Sequence, residues 1–246
     1  LIPKPKATQS IWCCFHSFEQ AYECLQVIAR SHFKPVAAEF LDKQCLQAVE
    51  KVNQKKYKFN QGNAFVLFKC DAMTDNACNQ LINHIKDHVK TYNQAKYFVG
   101  EDDLYWSVRH AISESLEHEF RHKISEDITV PPAQIGPYLN TVKKMAEDSE
   151  VTILGYGHLG DGNIHTNILN HSFSDKQWIE EKSKWVKKVI KVALEFGGTL
   201  TGEHGVGLTK KEYMPLYFKR HDIKIMKQIK SMVDPNTILN PSKIFN

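Results

Sequence analysis

The stretch GYGHLGDGNIHTN, residues 155–167, places two histidines, His158 and His165, on either side of a glycine-rich loop. Glycines allow backbone angles and close approaches that a side chain would block, and the Asp-Gly pair at 161–162 is a strong turn signal. The loop can therefore fold His158 back beside His165. Two imidazoles brought together in this way are candidate metal ligands. Two hydrogen-bonded loop histidines at a sheet edge are the alternative.

A second stretch, TLTGEHGVG at residues 199–207, surrounds an adjacent carboxylate and imidazole, Glu203 and His204, with glycines. Two histidines and one glutamate are a common ligand set for a catalytic zinc ion, which keeps a further position open for substrate or water. We therefore predict that His158, His165 and Glu203 bind a divalent metal, with zinc as the first candidate. His204 is the candidate general base beside it, since a neutral imidazole accepts protons near neutral pH. A capping glutamate and a surface histidine are the alternative.

The first six residues of the histidine loop also spell G-x-G-x-x-G, the fingerprint of dinucleotide-binding enzymes. That motif needs a helix directly after the glycines, because the helix N-terminus holds the pyrophosphate. Here residues 163–168, NIHTNI, alternate polar and apolar side chains, which predicts a strand. Asn163, His165 and Asn167 share one face of that strand. The context therefore disfavours a nicotinamide enzyme.

A third candidate element is the segment WSVRHAIS, which carries Trp106, Arg109 and Ser113 on one face of a predicted helix. Because Trp106 makes that face largely apolar, an arginine there favours a bidentate anionic partner. A surface ion pair of Arg109 with Glu114 or Glu117 is the alternative.

The elements that must position these residues alternate between strand and helix patterns. Strands are predicted at residues 10–15, 35–41, 64–70, 97–99 and 122–131 and at two places within 151–170. Helices are predicted at 17–31, from 42, from 74, and at 102–120, 131–147, 174–196 and 222–235. The early β-α-β rhythm suggests helices packed on one face of a sheet. We predict an α+β fold with an antiparallel or mixed sheet covered by helices, as in a ferredoxin-like cap domain.

The bulk composition is that of an ordinary globular protein, with 42% apolar and 24% charged residues among 246. The net charge of +4 is spread without blocks of like charge, so nucleic acid is not an expected partner. Six cysteines lie in the first third without metal-binding spacing, which favours a reducing compartment: the cytoplasm, or the mitochondrial matrix in a eukaryote. Peripheral membrane association and a homodimer stay open. The start at Leu1, without a methionine or a signal pattern, suggests a fragment or a processed product.

With GYGHLGDGNIH, TGEHGVG and the closing ILNPSK, the chain resembles the C-terminal half of the flavin-linked D-2-hydroxyacid dehydrogenases. This family, of the vanillyl-alcohol-oxidase type, includes enzymes acting on D-2-hydroxyglutarate, D-lactate and glycolate. The resemblance runs from LIPKP at residues 1–5 to ILNPSK at residues 238–243. It implies a cap domain at 1–205, and a C-terminal helical segment at 206–246 that returns to an FAD domain.

The same resemblance implies roles for individual residues. His158, His165 and Glu203 match the metal ligands, often zinc. His204 matches the base that takes the hydroxyl proton of a small D-2-hydroxyacid while hydride passes from C2 to FAD. A cation on the substrate oxygens would lower the pKa of that hydroxyl.

The resemblance also implies contacts beyond the metal. Arg109, Ser113 and Asn167 match groups on the substrate side, and Asn240 matches a stretch at the flavin domain. Hydroxyglutarate enzymes carry a lysine two residues before the aspartate of the strand that precedes the double proline; here that place is Ser125. The nearest lysine, Lys123, is displaced by roughly 7 Å along the strand, so a contact to a distal carboxylate stays open.

The resemblance places the FAD domain before Leu1, and residues 1–246 contain no segment expected to replace it. We therefore expect this chain alone to lack FAD, or to bind it weakly, and not to turn over. Its partners would be the FAD-binding domain of the same parent protein and an electron acceptor that the sequence does not indicate. A stand-alone metal-binding or small-molecule-binding module without redox activity is the alternative.

Overall fold

Seven strands pair into one sheet in this computed structural model, which describes residues 3–245. They are β1 (Ala7–Phe15), β2 (Ala37–Asp42), β3 (Ala64–Ala72), β4 (Lys96–Val99), β5 (His122–Thr129), β6 (Thr152–His158) and β7 (Asn163–Asn170). The order across the sheet is β4-β1-β3-β2-β6-β7-β5, and the neighbouring strands pair antiparallel. The predicted α+β class with an antiparallel sheet is confirmed.

The helices lie between these strands and after them. They are α1 (Phe18–Arg30), α2 (Lys43–Val52), α3 (Asp75–Val89), α4 (Asp102–His110), α5 (Ile112–Glu119), α6 (Ile135–Ala146), α7 (Asp175–Glu195), α8 (Met214–Tyr217) and α9 (Arg220–Val233). Within the described residues, none of them is both long and apolar enough to cross a membrane.

The predicted helix starts follow from side-chain caps. The Ser17 side chain accepts from the backbone N–H of Gln20, and Ser174 forms a full capping box with Gln177. α9 begins before the predicted position, because Asp222 lies in its first turn and accepts from the Lys219 backbone N–H. Asp222 is therefore a capping partner inside the helix, not its first residue.

The helix predicted at 102–120 is two helices, α4 and α5, which meet at Ala111. Ala111 keeps helical angles, and its N–H donates to the Ser107 carbonyl. Its own carbonyl accepts from the N–H of Ser115. The break is therefore local, and both halves lie over the same face of the sheet.

Helices cover both faces of the sheet, where the sequence suggested one. In β1, Ile11 and Cys13 belong to one buried cluster, whereas Trp12 and Cys14 belong to the other. Helices α1, α3, α6 and α7 cover the first face, and α2, α4 and α5 cover the second. An uninterrupted apolar strand such as SIWCCF is typical of a strand buried on both sides.

The segment from 206 onward begins inside the same core as the sheet. Tyr213 and Met214 are buried in the cluster on the first face, and Lys210 is buried beside β5. Helix α9, in contrast, has no buried residue along its described length. Ile223 and Met226 of this helix are partly buried and pack against the same cluster.

Candidate metal and substrate site

The first histidine motif forms the hairpin of β6 and β7. In its register His158 lies opposite Asn163, and Tyr156 lies opposite His165. The strand-loop-strand interpretation is therefore confirmed. Gly157 is required by close packing, since a Cβ there would lie 2.5 Å from the Asn163 carbonyl oxygen of the neighbouring strand.

The structure brings the four residues of the two glycine motifs together. One donor atom each from His158, His165 and Glu203 lie within 4.8 Å of one another. His204 lies beside them: its ring centroid is 5.9 Å from that of His165, and its Nε2 is 3.9 Å from Glu203 Oε1. Glu203 and His204 are more than half exposed, so the cluster is open on one side.

The donor set fits a divalent cation. Burial, with the nearby charges of Arg109 and His158, lowers the pKa of His165 to about 4, so its imidazole is neutral and has a free lone pair near neutral pH. Glu203 supplies a carboxylate. Two imidazoles and a carboxylate match the preferred ligands of zinc, and metal binding requires deprotonated ligands.

Glu39 of β2 holds the His158 ring. The two residues are opposite each other in the pairing of β2 with β6, and His158 Nδ1 lies 2.7 Å from Glu39 Oε1. A carboxylate accepts hydrogen bonds, so Nδ1 is the donor in this pair, and Nε2 is the ring nitrogen that is left for a metal. That Nε2 lies 4.0 Å from Glu203 Oε1. A second partner of this kind commonly orients a metal-binding histidine.

Arg109 has a carboxylate partner inside the protein, and it is Glu39. Its Nε and Nη2 lie 2.9 and 2.7 Å from Glu39 Oε2, and both side chains are almost fully buried. The guanidinium also lies over the Tyr156 ring, 4.8 Å from the centroid. The ion pair with Glu114 or Glu117 that the sequence left open is therefore not formed.

The other predicted substrate-side residues lie on the same face of the sheet as the cluster. Lys123 Nζ donates to Ser113 Oγ at 2.8 Å and forms an ion pair with Glu117 at 2.7 Å. Asn167 is fully buried; its Nδ2 donates to the His165 carbonyl, while its Oδ1 has no hydrogen-bond partner among the described residues. An unpaired buried oxygen beside a predicted ligand marks a place for a donor or a cation.

Asn240 lies apart from the cluster, on the exposed segment after α9, with a φ of 46°. Its carbonyl accepts from the Lys243 N–H. The same tail returns to the second glycine motif, where the Ile244 N–H donates to the Gly207 carbonyl at 2.8 Å.

Two residues of the site were missed from the sequence: Glu39 and Asp127. Both are at most 5% exposed; Glu39 lies in the largely apolar, buried strand β2, whereas Asp127 lies in the mostly polar, partly buried strand β5. A carboxylate in the middle of a buried strand needs a partner. That pattern was a usable signal for Glu39, although it does not name the partner.

Comparison with known proteins identifies the family of the chain. The family model described as FAD linked oxidases, C-terminal domain, matches residues 4–244. A D-lactate dehydrogenase of Archaeoglobus fulgidus is 29% identical over 244 residues, which cover 99% of this chain and 53% of that protein. A D-2-hydroxyglutarate dehydrogenase of Stutzerimonas stutzeri is 35% identical over 143 residues, 57% of this chain and 30% of that protein.

The fold also matches solved structures. A 4-ethylphenol oxidase from Gulosibacter chungangensis superposes with a TM-score of 0.72 at 16% identity, covering 99% of this chain and 55% of that one. At this identity the likeness concerns the fold alone. The chain spans about half the length of the D-lactate dehydrogenases that it matches. It belongs to the family of FAD-linked oxidase C-terminal domains.

Proposed function

We propose that this chain is the substrate-binding and metal-binding part of a flavoprotein that oxidises a D-2-hydroxyacid to the 2-oxoacid. The observation that carries the proposal is the meeting of His158, His165 and Glu203 within 4.8 Å, with His204 beside them. The D-lactate and D-2-hydroxyglutarate dehydrogenases among its relatives support the substrate class.

The proton and the hydride leave the substrate by different routes. His204 takes the hydroxyl proton on its imidazole, because it is the exposed histidine beside the donor set. The bound cation would polarise the hydroxyl and carboxylate oxygens, and bound FAD would accept the hydride from C2. His158, His165 and Glu203 would hold the cation, with zinc as the first candidate.

Arg109 and Asn167 orient the substrate. Glu39 takes the Nε and Nη2 donors of Arg109, so the other Nη of this side chain is the donor offered to a substrate carboxylate. The unpaired Oδ1 of Asn167 faces the same side of the sheet as the His165 ring. Holding the substrate in this way lowers the entropic part of the barrier.

Lys123 and Ser113 would contact only a longer substrate. Lys123 lies on the face of β5 that carries Asp127 opposite His165, but four positions earlier, which corresponds to about 13 Å along a strand. A short acid such as lactate would not span that distance. A dicarboxylate would have to compete with Glu117 for the lysine.

The FAD-binding domain of the parent protein is the proposed partner of the C-terminal segment. Helix α9 exposes Ile225, Ile229, Met232 and Val233, each at least half exposed. An exposed apolar stripe of this kind is typical of an interface. The following segment with Asn240 would continue the contact.

The test is elemental analysis and turnover of the full-length gene product with D-lactate and D-2-hydroxyglutarate. His165→Ala should lose both the bound metal and activity. His204→Asn should keep the metal and lose activity by about 10²- to 10⁴-fold, as expected for a general base. His118→Ala, an exposed histidine outside the cluster, is the matched control. If no divalent metal co-purifies and His165→Ala changes nothing, the proposal fails.

A further inference from the structure

One carboxylate oxygen accepts four hydrogen bonds from the loop segment that contains Glu203 and His204. Asp127 Oδ2 accepts from Thr201 Oγ1 at 2.8 Å and from the N–H groups of Gly202, Glu203 and His204 at 2.8, 2.9 and 3.0 Å. The Asp127 side chain lies on β5 and is 2% exposed. Consecutive backbone N–H groups that point at one oxygen form an anion nest, and here the anion belongs to the protein.

These hydrogen bonds set the charge state of Asp127. Burial by itself would raise the pKa of the carboxyl group. The hydrogen bonds from His204, Thr201 and Glu203, together with the charge of Lys210, outweigh burial and lower the pKa to about 2. The side chain is therefore an anion at physiological pH, and its hydrogen bonds are of the stronger, charge-assisted kind.

The far end of the same loop is also tied to β5. Lys210, 5% exposed, donates to the Asp127 carbonyl oxygen at 2.8 Å and lies 3.4 Å from Glu126 Oε2. Strand β5 therefore holds the loop at two places. The Asp127 side chain binds residues 201–204, and the Asp127 carbonyl and the Glu126 side chain contact Lys210.

The rest of the loop is held by backbone hydrogen bonds, from the Ile244 N–H to the Gly207 carbonyl and from the Lys210 N–H to the Val206 carbonyl. Gly205 and Gly207 have φ angles of 74° and 52°, and the side chains of Glu203 and His204 are 54% and 62% exposed. Asp127 lies opposite His165 in the pairing of β5 with β7. The Asp127 side chain therefore ties the loop with the next ligand and the base to β5, the strand that pairs with the one carrying His165.

We propose that Asp127 is a positioning residue: its carboxylate fixes the backbone of residues 201–204 and thereby sets the positions of Glu203 and His204, while Lys210 closes the far end of the loop. The loop-fixing part stands on the hydrogen bonds alone. Its consequence for cation binding and proton transfer rests on the proposed function.

Hydrogen exchange of the full-length protein tests the loop-fixing part. In Asp127→Ala the amides of residues 202–204 should exchange at rates approaching those of unprotected amides. Asp127→Asn should give intermediate rates, because its oxygen still accepts without a negative charge. Thr201→Val, which removes one of the four donors, should exchange close to wild type, and Asp148→Ala, an exposed aspartate after α6, should match it. Unchanged protection in a folded Asp127→Ala variant would overturn the proposal.

Zinc titration of the same variants tests the consequence. Affinity should fall by about 10- to 100-fold in Asp127→Ala and less in Asp127→Asn, as for other residues that orient metal ligands. Equal affinity in Asp127→Ala and wild type overturns the link to the site. If wild type itself binds no zinc, the proposed function fails. Hydrogen exchange still decides whether Asp127 fixes the backbone of residues 201–204. If Asp127→Ala does not fold, Asp127→Asn decides, and wild-type exchange rates in that variant overturn the proposal.

Discussion

Replacing Glu39 by glutamine would leave the buried guanidinium of Arg109 without its negatively charged partner. The Arg109 side chain is 9% exposed and that of Glu39 is 6% exposed, and the pair is closed by two contacts of 2.7 and 2.9 Å. Glutamine keeps the shape and one acceptor oxygen but loses the negative charge. Arg109 would then stay buried without a counter-anion, and His158 Nδ1 would lose its charged acceptor.

The expected cost follows from the burial of the pair. Removing one partner of a buried ion pair costs about 3–5 kcal/mol, and the retained amide oxygen places Glu39→Gln near about 3 kcal/mol. For a chain of this size 1 kcal/mol corresponds to about 2–4 °C in melting temperature, so a decrease of about 6–12 °C is expected. The effect should be present in metal-free protein, since it arises from the ion pair.

Denaturant and thermal unfolding of metal-free protein measure this cost. Glu119→Gln is the matched control, because its partner Lys51 is 69% exposed and the pair should contribute at most about 1 kcal/mol. Adding Arg109→Met to Glu39→Gln should recover stability, since the stranded charge is removed. The reasoning is refuted if Glu39→Gln is no less stable than Glu119→Gln, or if the double variant is less stable than Glu39→Gln alone.

Two further predictions concern packing and pH. Gly202→Ala should cost about 1–3 kcal/mol in urea unfolding, because its Cβ would lie 2.5–2.7 Å from polar atoms of three neighbouring side chains. Gly160→Ala, with nothing within 4 Å, is the control, and equal stability of the two variants would contradict the close packing. Metal-free protein should lose stability as the pH falls from 6.5 to about 4, because His165 stays neutral when folded and accepts a proton when unfolded. This contribution to the free energy of unfolding is complete above pH 6.5 and amounts to about 3 kcal/mol. In His165→Asn, the free energy of unfolding should depend less on pH between 4 and 6.5. An unchanged pH dependence in that variant would contradict a buried neutral imidazole.

Much of the local structure was predictable from the sequence. The alternation of NIHTNI gave strand β7 and excluded the helix of a dinucleotide site, since side chains on a strand alternate with period two. Ser17 and Ser174 marked helix starts because each caps a backbone N–H three residues ahead. The two glycine motifs also named the residues that meet in the cluster, His158, His165 and Glu203.

The tertiary structure decided which partners these residues have. Arg109 and Glu39 are 70 positions apart, and Asp127 and Glu203 are 76 apart. Local patterns indicate that a buried arginine or carboxylate needs a partner, but the partner is chosen by the order of strands in the sheet, which brings β2 beside β6 and β5 beside β7. Residue types and periodicity therefore determined the elements and the chemistry available. The pairing of distant strands decided how the site residues are oriented. The hydrogen bonds of Arg109 to Glu39 and of Glu203 to Asp127 can form only when the folded sheet brings these distant residues together.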